Sequence, residues 1–281
     1  MPPALRHLAA AILACLFVAA PARATSYSAD FTDLWWASPA ESESGWGMNV
    51  VQQNEILFLT FFLYGPDKTP RWYVGSRVEP ANPQPVGAVR FSGPLYQTTG
   101  PWFGGPFDPN AVGHSEVGAV TLTFDTSDTG TLSYTIGGTP VVKAIERQNY
   151  RVNSVGGSYA GGLVATASQC GSAADNGSTD MLGTTTVAQT ATQVTFTVAF
   201  GSPTGQPATC TFVGNYVQKG RMAAVPSGSF SCIVGGFQAN AGVFTMTALD
   251  AQLNGFHATF TGQDQFCNYN GRFGGTRNTA G

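Results

Sequence analysis

Apolar and polar residues alternate in short runs along most of the chain, with a period near two and turn residues between the runs. Residues 46–53 alternate loosely, Asn54-Glu55 makes a tight turn, and 56–64 returns as the most apolar run. Gly65-Pro66-Asp67-Lys68 reads as the next turn and 71–75 as the next strand, before a Pro-rich loop over 79–85. Runs at 86–91, 117–124, 130–136 and 141–147 add further strands, with Gly137-Gly138 marking a hairpin turn. After residue 153 the style repeats without repeating the letters. Eight short runs (158–167, 182–188, 193–200, 209–217, 229–234, 243–249, 255–261 and 270–273) are separated by signals such as Pro226-Ser227-Gly228 and Asn254-Gly255. No segment carries helical periodicity. Even spacing of short strands predicts an all-β protein of two consecutive antiparallel meanders, each a small eight-stranded barrel, with sandwiches as the alternative.

The first residues break this pattern. Arg6 and His7 precede an apolar run over 8–20, and Pro21-Ala22-Arg23-Ala24 closes it with small residues where a signal peptidase reads. The run is too short to span a bilayer. Residues 1–24 therefore read as a signal peptide, and the protein as exported (periplasmic, outer-surface or secreted), with no transmembrane segment after its removal. Loss of Arg6 and Arg23 moves the formal net charge from −3 to −5. Only 10% of residues are charged, and no basic stripe is present to bind nucleic acid.

Two residue types divide the rest. All five tryptophans lie before residue 103, and all four cysteines after the leader lie beyond residue 169. This split predicts two domains, an aromatic-rich one over 25–152 and a disulfide-containing one over 153–281, joined by turn residues near 151–157. Cys170, Cys210, Cys232 and Cys267 read as two disulfides in an exported chain. Three pairings are possible. Cys210 and Cys232 fall on successive strands, and Cys170 and Cys267 beside the first and last, which favours those two pairs. No C-x-x-C spacing or histidine cluster points to a metal, and no cofactor motif is present.

Candidate chemistry is sparse. There is no G-x-S-x-G, and only His114 and His257 follow the leader. His114 sits in a Gly/Asn/Pro loop. His257 alternates with Phe256 and Ala258 and so faces away from their side of the strand. Glu41 and Glu43 form a carboxylate pair in a polar loop, and with a histidine they define a hydrolase alternative. The aromatic set is the stronger candidate. Adjacent residues on a strand point to opposite faces, so Trp35-Trp36 and Trp72-Tyr73 cannot all lie in one core. Trp35, Trp36, Trp46, Trp72, Tyr73 and Trp102, with Glu41 and Arg71 for polar orientation, are the expected ligand-binding residues, for a glycan or small amphipathic ligand. A non-catalytic binding or surface-interaction protein is the leading expectation. A structural envelope or matrix component is a third, suggested by low charge and Gly/Thr richness.

The run Asp33-Leu34-Trp35-Trp36, Pro39-Ala40-Glu41-Ser42, Ser44-Gly45-Trp46-Gly47 resembles a WW-x-P-x-E-S-G-W-G signature of exported Gram-negative bacterial proteins of uncharacterised function. Here Glu43-Ser44 is an extra pair. The resemblance continues through Leu63-Tyr64-Gly65, Arg71-Trp72-Tyr73-Val74, residues 95–103 and Ile145-Glu146-Arg147-Gln148, covering 30–150. It implies export and a β fold, and brings no activity.

Overall fold

A computed structural model describes residues 29–278; the leader read over 1–24 lies outside the described residues. Eight strands close the first barrel in meander order: β1 (Asp33–Ala37), β2 (Gly47–Gln53), β3 (Ile56–Tyr64), β4 (Pro70–Pro80), β5 (Val89–Thr99), β6 (Gly113–Phe124), β7 (Thr129–Ile136) and β8 (Thr139–Arg147). Closure comes from β1 pairing with β8, Trp35 opposite Arg147 and Ala37 opposite Ile145. The second unit contains β9 (Gly157–Ser168), β10 (Gly177–Gln189), β11 (Gln193–Gly201), β12 (Pro207–Asn215), β13 (Val217–Lys219), β14 (Met222–Val234), β15 (Phe237–Gln252), β16 (Gly255–Asp264) and β17 (Asn268–Arg277). Pairing of β9 with β17 joins its first and last strands, and pairing of β12 with β14 completes one ring, leaving the short β13 outside it. Both units are therefore eight-stranded barrels rather than sandwiches. The only helical pieces described are single 3-10 turns at Pro109–Ala111 and Ala173–Asp175.

An eight-stranded barrel has an interior just wide enough for side chains to fill. In barrel 1, Leu57, Leu59, Phe61, Phe91, Leu122 and Phe124 point inward and are buried. Barrel 2 is filled by a phenylalanine lattice in which Phe212 meets Phe230, Phe244, Phe260 and Phe273 at 5.3–5.9 Å between ring centres. The interiors are packed cores, so a ligand must be met at a barrel end or on an outer wall. The apolar run of β3 is not buried on both faces as a core strand would be. Its outward residues Phe58, Phe62 and Tyr64 are 44%, 51% and 58% exposed, forming an apolar stripe on the outer wall.

One end of each barrel is plugged in the same way. In barrel 1 the Trp35 indole N–H donates to the Phe31 carbonyl four residues earlier (2.9 Å), and the guanidinium of Arg147, its partner across the closing seam, lies 5.0 Å over the indole. In barrel 2 the Tyr159 hydroxyl donates to the Val155 carbonyl four residues earlier (2.7 Å). Arg277, its partner across that seam, lies 4.9 Å over the phenol ring. An aromatic on the first strand and an arginine at the end of the last thus lock each closure, a repeat the letters alone do not reveal.

The plugged ends meet. Arg147 is fully buried and donates to the Asp33 carboxylate (2.8 Å) and to the carbonyls of Thr32, Ser127 and Asp30. From barrel 2, the turn Lys219-Gly220-Arg221 enters the same knot. The Arg221 amide donates to Asp33 Oδ2 (2.8 Å), and its guanidinium donates to the Thr32 carbonyl and to the carboxylates of Asp30 and Asp250. Asn149 and Asn153, in the connecting segment, bind the Gln218–Arg221 turn from the other side.

The far end of barrel 2 is cross-linked. Cys170–Cys267 ties the loop after β9 to the loop before β17, and Cys210–Cys232 joins directly opposed residues of β12 and β14. Beside the first bridge, the Asp264 carboxylate accepts hydrogen bonds from the Phe266 and Cys267 amides, the Tyr269 hydroxyl and the Asn240 amide. The expected pairing of all four cysteines is present.

Candidate functional site at the open end of barrel 1

The far end of barrel 1 carries the tryptophan-rich loops. The loop over 38–46 between β1 and β2 crosses the barrel mouth, and Gly45, at φ +117°, turns it past the Tyr64 ring. A side chain at Gly45 would be strained in that backbone conformation and would touch Tyr64. Glu43 leans from this loop across to β8. Both of its oxygens accept from Lys143 Nζ (2.8 and 2.7 Å), and Oε2 also accepts from the Trp46 indole N–H (2.9 Å). The bonds from Lys143 and then from Trp46 hold the Glu43 carboxyl below its usual range. Burial pushes the nearby Tyr134 phenol up.

Two cavities share this rim. One, of about 290 Å³, lies between Trp46, Leu63, Tyr64 and Tyr134, with the Glu43–Lys143 pair on its wall. The other, of about 510 Å³, lies between Phe62, Tyr64, Trp72 and Arg71 on the outer side. Gly45, Leu63 and Tyr64 border both, so the Tyr64 ring forms the partition. Arg71 is anchored by Asp67 (2.9 Å), whose carboxylate raises the guanidinium pKa, and Phe62 and Trp72 are directly opposed across β3 and β4. The arrangement offers flat aromatic faces, one fixed cation and one ion pair around concave surface. Such surfaces suit stacking and hydrogen bonding.

Three of the expected binding residues, Trp46, Trp72 and Arg71, are brought together here. The others fall elsewhere. Trp35 (0% exposed) and Tyr73 (4%) are core residues, because their strand parity turns them inward, and both leave the surface set. Trp36 faces outward beside the closing seam, and its indole nitrogen is buried without a hydrogen-bond partner. Glu41 sits at φ +66° in the exposed loop and lines neither cavity. Trp102 is 80% exposed on the loop between β5 and β6, next to the Phe103–Phe107 edge contact, and also lines neither. Sequence reasoning missed Lys143 and Tyr134. The signal for Lys143 was available, as one of only three lysines, placed mid-strand in an otherwise apolar run.

The hydrolase alternative gains no geometry. Glu43 is occupied by Lys143 and Trp46, while His114 stands edge-on to Tyr96 (6.1 Å) at a different cavity, bordered by Val74, Ser76 and Thr98. His257 is exposed on β16 of barrel 2. Among the described residues no group of three or more His, Cys, Asp or Glu side chains could hold a metal, and no helix is long and apolar enough to cross a membrane. The chain matches no family model, no curated protein and no solved structure.

Proposed function

We propose that this is an exported, non-catalytic binding protein whose ligand site is the aromatic rim of barrel 1. The ligand class is a glycan or a small amphipathic molecule that stacks on Trp46, Tyr64 and Trp72, oriented by Arg71 and the Glu43–Lys143 pair. The observation that carries the reading is the pair of adjoining cavities sharing one tyrosine wall at the open end of an otherwise packed barrel. Export is supported by the leader pattern in the sequence and by the two disulfides. Trp46 and Trp72 report directly on this site. Titration of the protein with a panel of glycans and lipids is expected to shift its tryptophan emission with at least one ligand, and Trp72→Ala to weaken that response. Unchanged emission across the whole panel would end the proposal.

A further inference from the structure

The outer wall of barrel 2 carries a second concave surface, independent of the barrel 1 rim. It is a groove of about 540 Å³ running across β15, β16 and β17. Its bank is the bulge of β14, where the register with β15 slips between Val225 and Gly228 and Pro226-Ser227 stands out. Successive rungs of the ladder set Thr245 opposite Thr261 and Thr261 opposite Asn270, then Val243 opposite Gln263 and Gln263 opposite Asn268. The Thr245 and Thr261 hydroxyls bond to each other (2.6 Å), which uses one proton and leaves the other free. Gln263 and Asn270 are exposed, and neither side-chain amide is engaged by another described residue.

The lining contains no Asp, Glu, Lys, Arg or His. That chemistry selects its occupant. A charged ligand would surrender hydration with no counter-charge to replace it. A wholly apolar one would leave two amides and a row of hydroxyls desolvated without partners. A neutral ligand dense in hydroxyl groups satisfies both demands, with Val243 and Pro226 available for its C–H faces. An extended peptide would instead bind by adding a strand to an unpaired sheet edge, and the strands under this groove are paired on both sides. We infer that the groove over β15, β16 and β17 is a binding site for a neutral glycan chain, formed by Thr245, Thr261, Gln263 and Asn270.

The test uses the chain without its leader, labelled for amide NMR, and three probes: neutral linear hexasaccharides, an oligouronate, and an uncharged polar peptide. Millimolar neutral hexasaccharide is expected to shift the amides of Thr245, Thr261 and Asn270. The double variant Gln263→Met, Asn270→Leu is expected to weaken that binding by about tenfold or more, and Thr261→Val by less, with both variants keeping the wild-type spectrum elsewhere. No groove shift with any neutral hexasaccharide, undiminished binding by the double variant, or equal binding of the oligouronate or the peptide would overturn the inference. Because every tryptophan is in barrel 1 and none lines the groove, tryptophan emission does not read the groove, and the groove amides do not read the rim, so failure at either site is seen separately.

Discussion

Replacing Arg147 with methionine probes the knot that closes barrel 1. Methionine keeps an unbranched apolar stem but is shorter than arginine and loses the charge and all the donors. Left behind are the Asp33 carboxylate, which is only 10% exposed, and the carbonyls of Asp30 and Ser127; the Thr32 carbonyl keeps its bond from Arg221. Asp33 retains the amides of Leu34 and Arg221, but no longer a cation in its own barrel. Removing one partner of a buried pair costs about 3–5 kcal/mol, which includes here the loss of the guanidinium over Trp35. At about 4 °C per kcal/mol for a domain of this size, the melting temperature of barrel 1 should fall by about 12–20 °C. Tryptophan fluorescence follows that melt selectively. Adding Asp33→Asn should cost less than the two single changes combined, by about 1 kcal/mol or more, because the stranded charge disappears. A loss below about 1 kcal/mol in Arg147→Met, or strict additivity in the double variant, would refute the account.

Other changes follow the same reasoning. Gly220, at φ +62°, packs against Asp33 and Arg147, so Gly220→Ala adds both backbone strain of about 1–2 kcal/mol and a clash. It should loosen the joint, seen as faster proteolysis within 148–156 at unchanged disulfide content. Removing the Cys170–Cys267 bridge, which spans 97 residues, should destabilise barrel 2 by nearly 5 kcal/mol on the loop-entropy estimate, against roughly 3 kcal/mol for Cys210–Cys232, which spans 22. Paired Cys→Ser variants in urea give the order directly. Burial pushes the Asp264 carboxyl up, but its bonds from Asn240, Cys267, Tyr269 and Phe266 outweigh this and hold it below 3.8. Its stabilisation is therefore present above pH 3.8 and lost as pH falls through the lowered folded value, and Asp264→Asn should flatten that acid limb in urea midpoints. Burial first, and then the Asp264 carboxylate, push Tyr269 up to about 12. Its contribution is present below 10.0 and lost as pH rises toward about 12, so Tyr269→Phe should remove a late-ionising phenol from the ultraviolet titration.

Strand alternation made both barrels legible, since period-two burial at Leu57, Leu59 and Phe61 is visible in the letters. What stayed hidden depended on neighbours distant in sequence. β5 runs on through Gly93-Pro94, which reads as a break. The ladder with β4 is interrupted between Val74 and Glu79, opposite Pro94, so its missing N–H falls at a gap. Gly93 is required there because a side chain would meet the Arg77 carbonyl at 2.6 Å. Pro226 is likewise accommodated at the β14 bulge. At the candidate site, exposure of Trp72 was foreseeable in kind, while Trp46 is half-buried against the barrel core. Which member of each aromatic pair turned inward was set by the register of β1 against β8 for Trp35-Trp36 and of β4 against β3 for Trp72-Tyr73, which the pair alone does not encode. Arg147 was noticed only as part of a motif, because its partners are Trp35 and Asp33, over a hundred residues away.

The seam geometry also fixes where the chain comes and goes. Each barrel is entered and left at its plugged end, with Asp33 and Arg147 bounding one and Gly157 and Arg277 the other. Each is thus a self-contained cassette whose start and finish lie side by side. In barrel 1 the loops at the opposite end are free to lengthen, shorten or change composition without reaching that fastening, whereas in barrel 2 the Cys170–Cys267 bridge ties two of them together. A cassette of this kind can be copied, appended or tethered through its joint while the loop-bearing face stays clear of the attachment.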